Sequence, residues 1–518
     1  MQKIVIKANM VVFIASFCTL VIELVAGRIM APYVGVSLYT WTSIIGVVLA
    51  GISIGAYLGG LIADRYPRPS ILGWLLFLSG LGAFSISPLI HLVGETQFQT
   101  SLMIRILLIT TIVFFIPSCL LGMISPVVVK LTLNNLDRTG NVVGKIYAFS
   151  TLGSILGTFA TGFFLISWMG TRHILLTMGI ILILSALVFG GFFVKKNVLA
   201  LFFAILFFLL WEFYGYAFKP PLDGETYFFK ESDYYTIKLK KDPSRGRGGP
   251  LEALILDHLI HSYTDLKDPL YLQYEYIRIY EEMVRWQAGK RRVFKALFIG
   301  GGGYTLPRFI EAKYQQAAID VVEIDPEVTR VGKKYLGVPE NTRIHSFNED
   351  GRWYVMNCKE GGSYDFIFGD AFNDLSIPYH LTTKEFAMQL KRLLKPDGLL
   401  LANVIDSFKE GAFMPSYIRT LEEVFGEGNV NLLTLSSDYD HIGISTCVVV
   451  ASPQRLDMDD FVKIIKANVG EEITSHVMPQ DRLQQYLKER YSLVLTDDYV
   501  PVDNLIAPIF EERFGYPR

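Results

Sequence analysis

The sequence has little charge and few cysteines, and each shortage argues against a class of protein. Charged residues make up 19% of the 518 residues and apolar residues 51%, which is too hydrophobic for one soluble globule. The formal net charge of -2 gives no indication of a nucleic-acid partner. The four cysteines have no paired spacing, so we expect neither a disulfide framework nor a metal site. The N-terminal apolar segment lacks the cleavage signature of a secretory signal, so we expect it to be retained.

The hydrophobic excess is concentrated before Lys219, in apolar runs long enough to cross a bilayer. Seven candidate spans lie near residues 8–29, 40–62, 70–94, 103–127, 142–167, 173–194 and 198–216. Small residues recur at helix-packing spacing, as in Gly51, Gly55 and Gly59, and again in Gly153 and Gly157. The pattern predicts a packed helical bundle rather than separate anchors.

Charged side chains at membrane depth are few. Glu23 and Arg28 lie within and just after the first span, where an unpaired charge in lipid is costly, so we expect both to face the bundle or a polar cavity. One interpretation is structural, with the two residues paired to each other or to Arg65. The other is a transport pathway that also involves His91 and Glu212.

After the membrane half the hydrophobic pattern changes. Period-two alternation from Thr226 to Leu256 predicts a small antiparallel β domain, which could be a simple lid or linker. From about residue 270 to 467 helix and strand patterns alternate, which predicts a doubly wound, Rossmann-like α/β sheet. The expected domains are a transmembrane bundle of about seven helices over 1–218, the β domain over 219–268 and the α/β domain over 269–518.

A glycine-rich turn directly follows the first strand of the α/β pattern and precedes a helix. It consists of Gly300, Gly301, Gly302 and Gly303. Without side chains, the backbone of such a turn can approach a ligand closely. Glu323 closes the next strand about 20 residues further on, where a carboxylate can accept hydrogen bonds from both ribose hydroxyls. The pair predicts a nucleoside-binding βαβ unit.

Further acidic residues follow the next strands. Asp350 and Gly351 come after the third strand, where a carboxylate could receive the amino group of adenine, and Asp370 ends the fourth. We therefore expect Glu323, Asp350 and Asp370 to line one crevice. Two alternatives stay open, because Asp350 could instead cap the following helix, and Asp325, which precedes Pro326, could do the same.

The segment from about Glu231 onward resembles the spermidine synthase family of polyamine aminopropyltransferases. The resemblance rests on the opening strand 231–237, on Leu256-Asp257-His-Leu-Ile-His261, on Val322-Glu323-Ile-Asp325, on Glu349-Asp350-Gly351 and on Asp370. The membrane half resembles the transporter-like half of fused members of this family, notably over Glu23 to Pro32 and at Trp41. The implied fold of the soluble half is the S-adenosylmethionine-dependent transferase type.

This resemblance implies a reaction and its participants. An aminopropyl group would pass from decarboxylated S-adenosylmethionine, a co-substrate rather than a bound cofactor, to a diamine such as putrescine. Asp370 would take the proton of the amine, with Asp374 as a second anchor. The amine pocket would include His261, Tyr274, Glu275 and Tyr304. The other implied partners are membrane lipid and, as one option for the assembly, a second copy of the chain.

Departures from the family pattern concern amine recognition. Gly303 stands where the family's Gly-Gly-Gly-Asp-Gly motif has an aspartate, and His261 replaces a glutamine. The family's Asp-Ser-Ser-Asp becomes Asp370-Ala-Phe-Asn-Asp374, which shifts or removes the second carboxylate. The nucleoside contacts are unchanged, so donor binding is the firmer expectation and the identity of the acceptor is left open.

Two other functions and the membrane side also stay open. The same fold could serve a methyltransferase that uses S-adenosylmethionine, or a transporter or channel whose soluble domain senses a nucleoside or polyamine. Basic residues in alternate loops place the N-terminus in the cytoplasm of a multi-pass cell-membrane protein. Seven spans would then put the soluble half outside, in conflict with a cytosolic substrate, so the sequence does not decide its side.

Overall fold

The computed structural model divides the chain into two compact units, Met1–Pro221 and Leu222–Arg518. The residues it describes are 2–94, 96, 102–133, 139–190, 225–257, 259–289, 293–371, 377–439, 441–467 and 473–513. The seventh candidate span, Glu212 and Asp374 lie outside these residues.

The first unit contains six helices that are long and apolar enough to cross a membrane, counted over the described residues. They are α1 (Gln2–Val34), α2 (Leu38–Arg65), α3 (Pro69–Gly94), α4 (Leu102–Thr132), α5 (Thr139–Ala160, continued by a π-helical turn Thr161–Leu165 and by Ile166–Trp168) and α6 (Thr171–Phe189). Each coincides with one of the first six predicted spans. Their length and composition indicate association with a membrane.

Glycines let these helices approach one another closely. A Cβ atom on Gly55 of α2 would lie 2.1 Å from the carbonyl oxygen of Cys119 on α4. On α5, a Cβ atom on Gly153 would lie 2.2 Å from the carbonyl oxygen of Phe13 on α1. These contacts leave no room for a side chain, which confirms that the small residues serve helix packing. Glu23 and Arg28 are both partly buried in this unit.

The second unit begins with a four-stranded antiparallel sheet. Its strands, in spatial order, are β1 (Thr226–Glu231), β2 (Thr236–Arg245), β3 (Pro250–Leu256) and β4 (Leu259–Thr264). The apolar side chains of β2 and β3, such as Ile237 and Leu254, are fully buried against Val328, Val331 and Leu336 of the α/β domain. The small sheet is therefore packed onto the α/β domain through its own hydrophobic core, which a loose linker would not have.

The rest of the second unit is an eight-stranded sheet in the described part of the chain, ordered β12-β10-β11-β9-β8-β5-β6-β7. The strands are β5 (Lys295–Ile299), β6 (Ala318–Val322), β7 (Ile344–Phe347), β8 (Tyr364–Gly369), β9 (Leu394–Ser407), β10 (Val430–Thr434), β11 (Ile444–Ala451) and β12 (His476–Val477). Strands β9-β8-β5-β6-β7 are parallel, and β10, β11 and β12 extend the sheet in antiparallel fashion. This confirms the predicted Rossmann-like fold.

Helices lie before, between and after these strands along the chain. They are α7 (Glu275–Ala288), α8 (Thr305–Lys313), α9 (Pro326–Tyr335), α10 (Gly351–Asn357), α11 (Lys384–Leu393), α12 (Phe413–Phe425), α13 (Met458–Ala467), α14 (Gln480–Glu489) and α15 (Val502–Arg513). The chain runs outward from β5 to β6 and β7, then returns to place β8 on the other side of β5. The order of strands thus reverses between β5 and β8, and ligands of such sheets bind at the carboxyl ends of the strands beside that point.

Candidate active site

The glycine turn lies at the reversal point of the sheet. Gly300 has φ +99° and Gly302 φ +46°, backbone conformations that residues with a side chain rarely adopt. A Cβ atom on Gly300 would lie 2.3 Å from the carbonyl oxygen of Asp370. The turn can therefore pass close to the end of β8 only because it consists of glycines.

Glu323 at the end of β6 fixes the shape of this turn. Its Oε2 accepts a hydrogen bond of 2.8 Å from the backbone N–H of Gly301, and its Oε1 accepts one of 3.0 Å from that of Asp325. The residue is 6% exposed. Burial raises the pKa of the Glu323 carboxyl, whereas these backbone donors lower it. The structure thus shows Glu323 bound to the glycine turn, and its contact with a ribose stays a prediction.

Asp370 at the end of β8 is held by two side chains. The hydroxyl of Tyr276 donates a hydrogen bond of 3.1 Å to Oδ2, and the amide of Asn403 donates one of 2.9 Å to Oδ1. Burial raises the pKa of the Asp370 carboxyl, and the two hydrogen bonds lower it. The carboxylate is therefore fixed at both oxygens and poised to take up a proton more readily than an ordinary aspartate.

Asp370 faces a small hollow beside the glycine turn. Its lining includes His261, Ser262, Tyr276, the four glycines and Asp370. The structure thus brings together one predicted amine-pocket residue, the predicted donor turn and the predicted catalytic carboxylate. Glu323 and Asp350 do not line this hollow, so the expectation that both share one crevice with Asp370 is not met by it. Glu323 follows β6 and is joined to the hollow through the glycine turn. Asp350 follows β7, which is one strand further from the hollow than β6.

The other predicted nucleoside residues have local partners. Asp325 caps α9 by accepting a hydrogen bond of 2.8 Å from the N–H of Glu327, and it also binds the hydroxyl of Ser232. Asp350 caps α10 through the N–H of Trp353, at 2.9 Å. A Cβ atom on Gly351 would lie 2.7 Å from a methyl carbon of Ile299, so Gly351 lets α10 approach β5. The capping alternative thus holds for both aspartates, and ligand contact stays a prediction for each.

The predicted amine-pocket residues are more dispersed than expected. The hydroxyl of Tyr274 donates to the carbonyl of Ile260 at 2.7 Å, and Glu275 is exposed at the start of α7. Tyr304 is fully buried, and its hydroxyl donates to Thr329 and Ser346 at 3.3 and 3.1 Å. The expectation that Tyr304 lines the pocket is therefore wrong, because its left-handed backbone, with φ 58°, turns the ring into the core.

Sequence reasoning missed two residues that contact Asp370. Tyr276 lies one helical position beyond the predicted Tyr274-Glu275 pair and takes the place expected for it. Asn403 lies within the apolar run of β9, beside Ala402, which pairs with Gly369. A single polar residue within the apolar run 399–405 was the available signal, since such a side chain needs a partner.

A tyrosine in the turn between β1 and β2 also lies near the acidic residues. Partial burial, and then the negative charges of Asp325, Asp233, Asp350 and Glu323, raise the pKa of Tyr234. These carboxylates therefore lie within electrostatic range of one side chain. Tyr234 is 47% exposed.

The missing aspartate of the glycine turn has a steric explanation that can be tested. A Cβ atom on Gly303 would lie 1.9 Å from the hydroxyl oxygen of Ser262. We expect Gly303→Ala to lower the free energy of unfolding by about 1–3 kcal/mol, the usual effect of overpacking. Adding Ser262→Gly should recover most of that loss in urea unfolding. Equal destabilisation with and without Ser262→Gly would contradict the steric explanation.

Together the fold and the site define a Rossmann-like domain with a glycine turn for a nucleoside and a buried carboxylate beside it. Residues 278–445 match the profile of the family described as "Spermine/spermidine synthase domain". This part of the chain is therefore similar to spermine/spermidine synthase domains, and the apolar helices of the N-terminal half fit a membrane-fused arrangement.

Individual relatives agree with this assignment. The polyamine aminopropyltransferase of Vibrio vulnificus is 38% identical over 136 residues, which are 26% of this chain and 44% of that protein. Polyamine aminopropyltransferase 2 of Aquifex aeolicus is 25% identical over 435 residues, 80% of this chain and 82% of that protein. That match is longer than the whole second unit, so it extends into the first unit. The human eEF1A lysine and N-terminal methyltransferase is 26% identical over 181 residues, 31% of this chain and 25% of that protein.

Proposed function

We propose that this protein is a membrane-bound polyamine aminopropyltransferase. It transfers the aminopropyl group of decarboxylated S-adenosylmethionine to a diamine such as putrescine, which gives spermidine and methylthioadenosine. The observation that carries the proposal is the Asp370 carboxylate, fixed at both oxygens beside a glycine turn that is itself bound to Glu323. The spermine/spermidine synthase domain and the aminopropyltransferase relatives support it.

The chemistry needs alignment more than activation of the leaving group. The amine nitrogen attacks the aminopropyl carbon, a carbon–nitrogen bond forms and the carbon–sulfur bond breaks, and its electron pair neutralises the sulfonium. The attacking nitrogen must be unprotonated, although an alkylamine is mostly protonated near neutral pH. A carboxylate that holds the amine in line and receives its proton therefore supplies both positioning and general-base catalysis.

Asp370 is suited to this role by its surroundings. Tyr276 and Asn403 hold the carboxylate in one orientation and leave a lone pair on each oxygen for the cationic amine. Burial raises the pKa of Asp370, which makes it a better proton acceptor than an exposed aspartate. The glycine turn keeps the donor within reach of the same hollow.

The acidic limb of the pH profile should report Asp370. The base must be ionised, and because its pKa is raised, kcat/KM should fall on acidification at a higher pH than an ordinary aspartate would give. The Asn403 hydrogen bond lowers that pKa, so Asn403→Leu should move the acidic limb upward by about 0.5–1 pH unit, the effect of one hydrogen bond. A limb that stays in place or moves to lower pH in Asn403→Leu would contradict this assignment.

A methyltransferase is the second candidate. Two observations favour it, namely the absence of an aspartate at Gly303 and the similarity to the human eEF1A methyltransferase. Such an enzyme would use S-adenosylmethionine and move the methyl group instead of the aminopropyl group. The acceptor would then be an amine of a different kind, with the same need for a base.

One experiment separates the two candidates. The purified full-length protein is incubated with decarboxylated S-adenosylmethionine or S-adenosylmethionine and a panel of di- and polyamines, and the products are identified by mass. Methylthioadenosine together with an amine enlarged by an aminopropyl group supports the proposal. S-adenosylhomocysteine together with a methylated acceptor supports the second candidate and rejects the first.

A further inference from the structure

His380 is attached to the predicted adenine-binding carboxylate. It lies in the short 3₁₀ turn Tyr379–Leu381, and its Nε2 is 2.9 Å from Oδ2 of Asp350. A carboxylate only accepts hydrogen bonds, so Nε2 must carry the proton. The other oxygen of Asp350 accepts the N–H of Trp353. The Asp350 carboxylate is thus fixed at both oxygens, in the same manner as Asp370.

The turn that carries His380 is itself held in place. Nη1 of Arg352 donates to the backbone carbonyl of His380 at 2.9 Å and to Oδ1 of Asp497 at 2.8 Å. Arg352 belongs to α10, the helix that Asp350 caps. The histidine and the aspartate are therefore fixed relative to each other from two directions, through their side chains and through Arg352.

Stability alone does not explain the pair. Capping of α10 uses Oδ1 of Asp350 and leaves Oδ2 without a structural requirement. The side chains of His380 and Asp350 are 34% and 36% exposed, and ion pairs at that degree of exposure contribute little to stability. The arrangement does, however, determine where the remaining lone pairs of the Asp350 carboxylate point. An amino group on a nucleobase would donate its hydrogen bond to one of these lone pairs.

We propose that His380 is a positioning residue for recognition of the nucleobase. It holds Asp350 so that one lone pair is aimed at the exocyclic amino group of the donor's adenine. The inference rests on the proposed function in one respect, which is that the donor carries an adenosyl group. It predicts selectivity for a 6-amino purine over a 6-oxo purine, because a 6-oxo group has no proton to donate to a carboxylate.

The test compares two product analogues as competitive inhibitors of the full-length protein, methylthioadenosine and its 6-oxo counterpart methylthioinosine. The wild type should prefer the 6-amino compound. In His380→Ala we expect that preference to fall about ten-fold and the KM for the donor to rise by a similar factor, the effect of one misplaced hydrogen bond. The kcat should change by less than about two-fold, because the reacting atoms lie elsewhere.

Two further variants make the result specific. His380→Gln keeps an N–H donor at a reach similar to that of Nε2, but on a more flexible side chain. It should recover part of the preference, and it serves as the test variant if His380→Ala does not fold. His345→Ala is the matched control. His345 lies near the beginning of β7, and its exposed imidazole has Nδ1 3.4 Å from Oδ1 of Asp320. This variant should leave the preference unchanged.

The failures are distinguishable. A folded His380→Ala that keeps the wild-type preference and donor KM overturns this inference and leaves the proposed function intact. If the wild type transfers no group to any amine, the proposed function fails, and the preference between the two analogues is then measured by calorimetric binding. Loss of preference in His380→Ala by that measurement still supports the role of His380.

Discussion

Asp370→Asn is expected to reduce the rate of group transfer by about 10²–10⁴-fold, the usual contribution of a positioned general base. Asparagine has nearly the same shape, so the hydrogen-bonding neighbours Tyr276 and Asn403 remain in place. What is lost is the negative charge that holds the cationic amine and the oxygen that receives its proton. Single-turnover rates with saturating donor and amine measure this loss directly.

The same variant should still bind the nucleoside. The glycine turn is held by Glu323 rather than by the side chain of Asp370, so the affinity for methylthioadenosine should stay close to that of the wild type. Asp365→Asn is a matched control on the same strand, since Asp365 is buried and paired with Lys395 rather than facing the hollow. Turnover of Asp370→Asn equal to that of the wild type would remove the proposed mechanism.

Asp370→Asn should also change stability, in a direction that the pKa shift determines. Because burial raises the pKa of Asp370, the folded protein binds a proton there more tightly than the unfolded chain does. The ionised carboxylate therefore lowers stability at neutral pH, and this effect disappears as the pH falls below the pKa of an unfolded aspartate. We expect Asp370→Asn to be more stable than the wild type at pH 7 and equal to it in acid, as measured by thermal unfolding.

Glu323→Ala should produce the second large effect, a loss of donor affinity of about 10–100-fold, which corresponds to one or two charge-assisted hydrogen bonds. Its carboxylate accepts the N–H groups of Gly301 and Asp325, and alanine leaves both without that acceptor in a buried place. The variant should therefore lose about 1–3 kcal/mol of stability as well. Calorimetric titration with methylthioadenosine, at a temperature where the variant is folded, measures the affinity.

Two variants separate the loss of ligand contacts from the loss of turn geometry. Glu311→Ala is the control, because the Glu311 carboxylate also accepts a backbone N–H, that of Arg343, but lies outside the glycine turn. This variant should leave donor affinity unchanged. Glu323→Gln keeps the size of the side chain but not its charge, and we expect an intermediate affinity. Donor affinity of folded Glu323→Ala equal to that of the wild type would show that Glu323 supplies neither a ligand contact nor a turn geometry that the donor needs.

The sequence by itself determined the local features of this protein. Apolar runs of bilayer length predict helices because a backbone in lipid must satisfy its own hydrogen bonds, and six of the predicted spans are helices in the described residues. Strand, glycine turn and helix follow one another at Gly300 because each depends on neighbours in the sequence. The acidic residues at Glu323 and Asp370 were placed at strand ends for the same reason, since the period of the hydrophobic pattern shows where each strand stops.

Only the tertiary structure decided which side chains meet. Tyr276 and Asn403 contact Asp370 across separations of 94 and 33 residues, and His380 contacts Asp350 across 30. Such partners depend on the order of strands in the sheet and on the packing of the helices, which no local pattern encodes. The burial of Tyr304 in the core and the capping by Asp325 and Asp350 follow from the same cause, because a polar group takes the nearest partner that the folded chain presents.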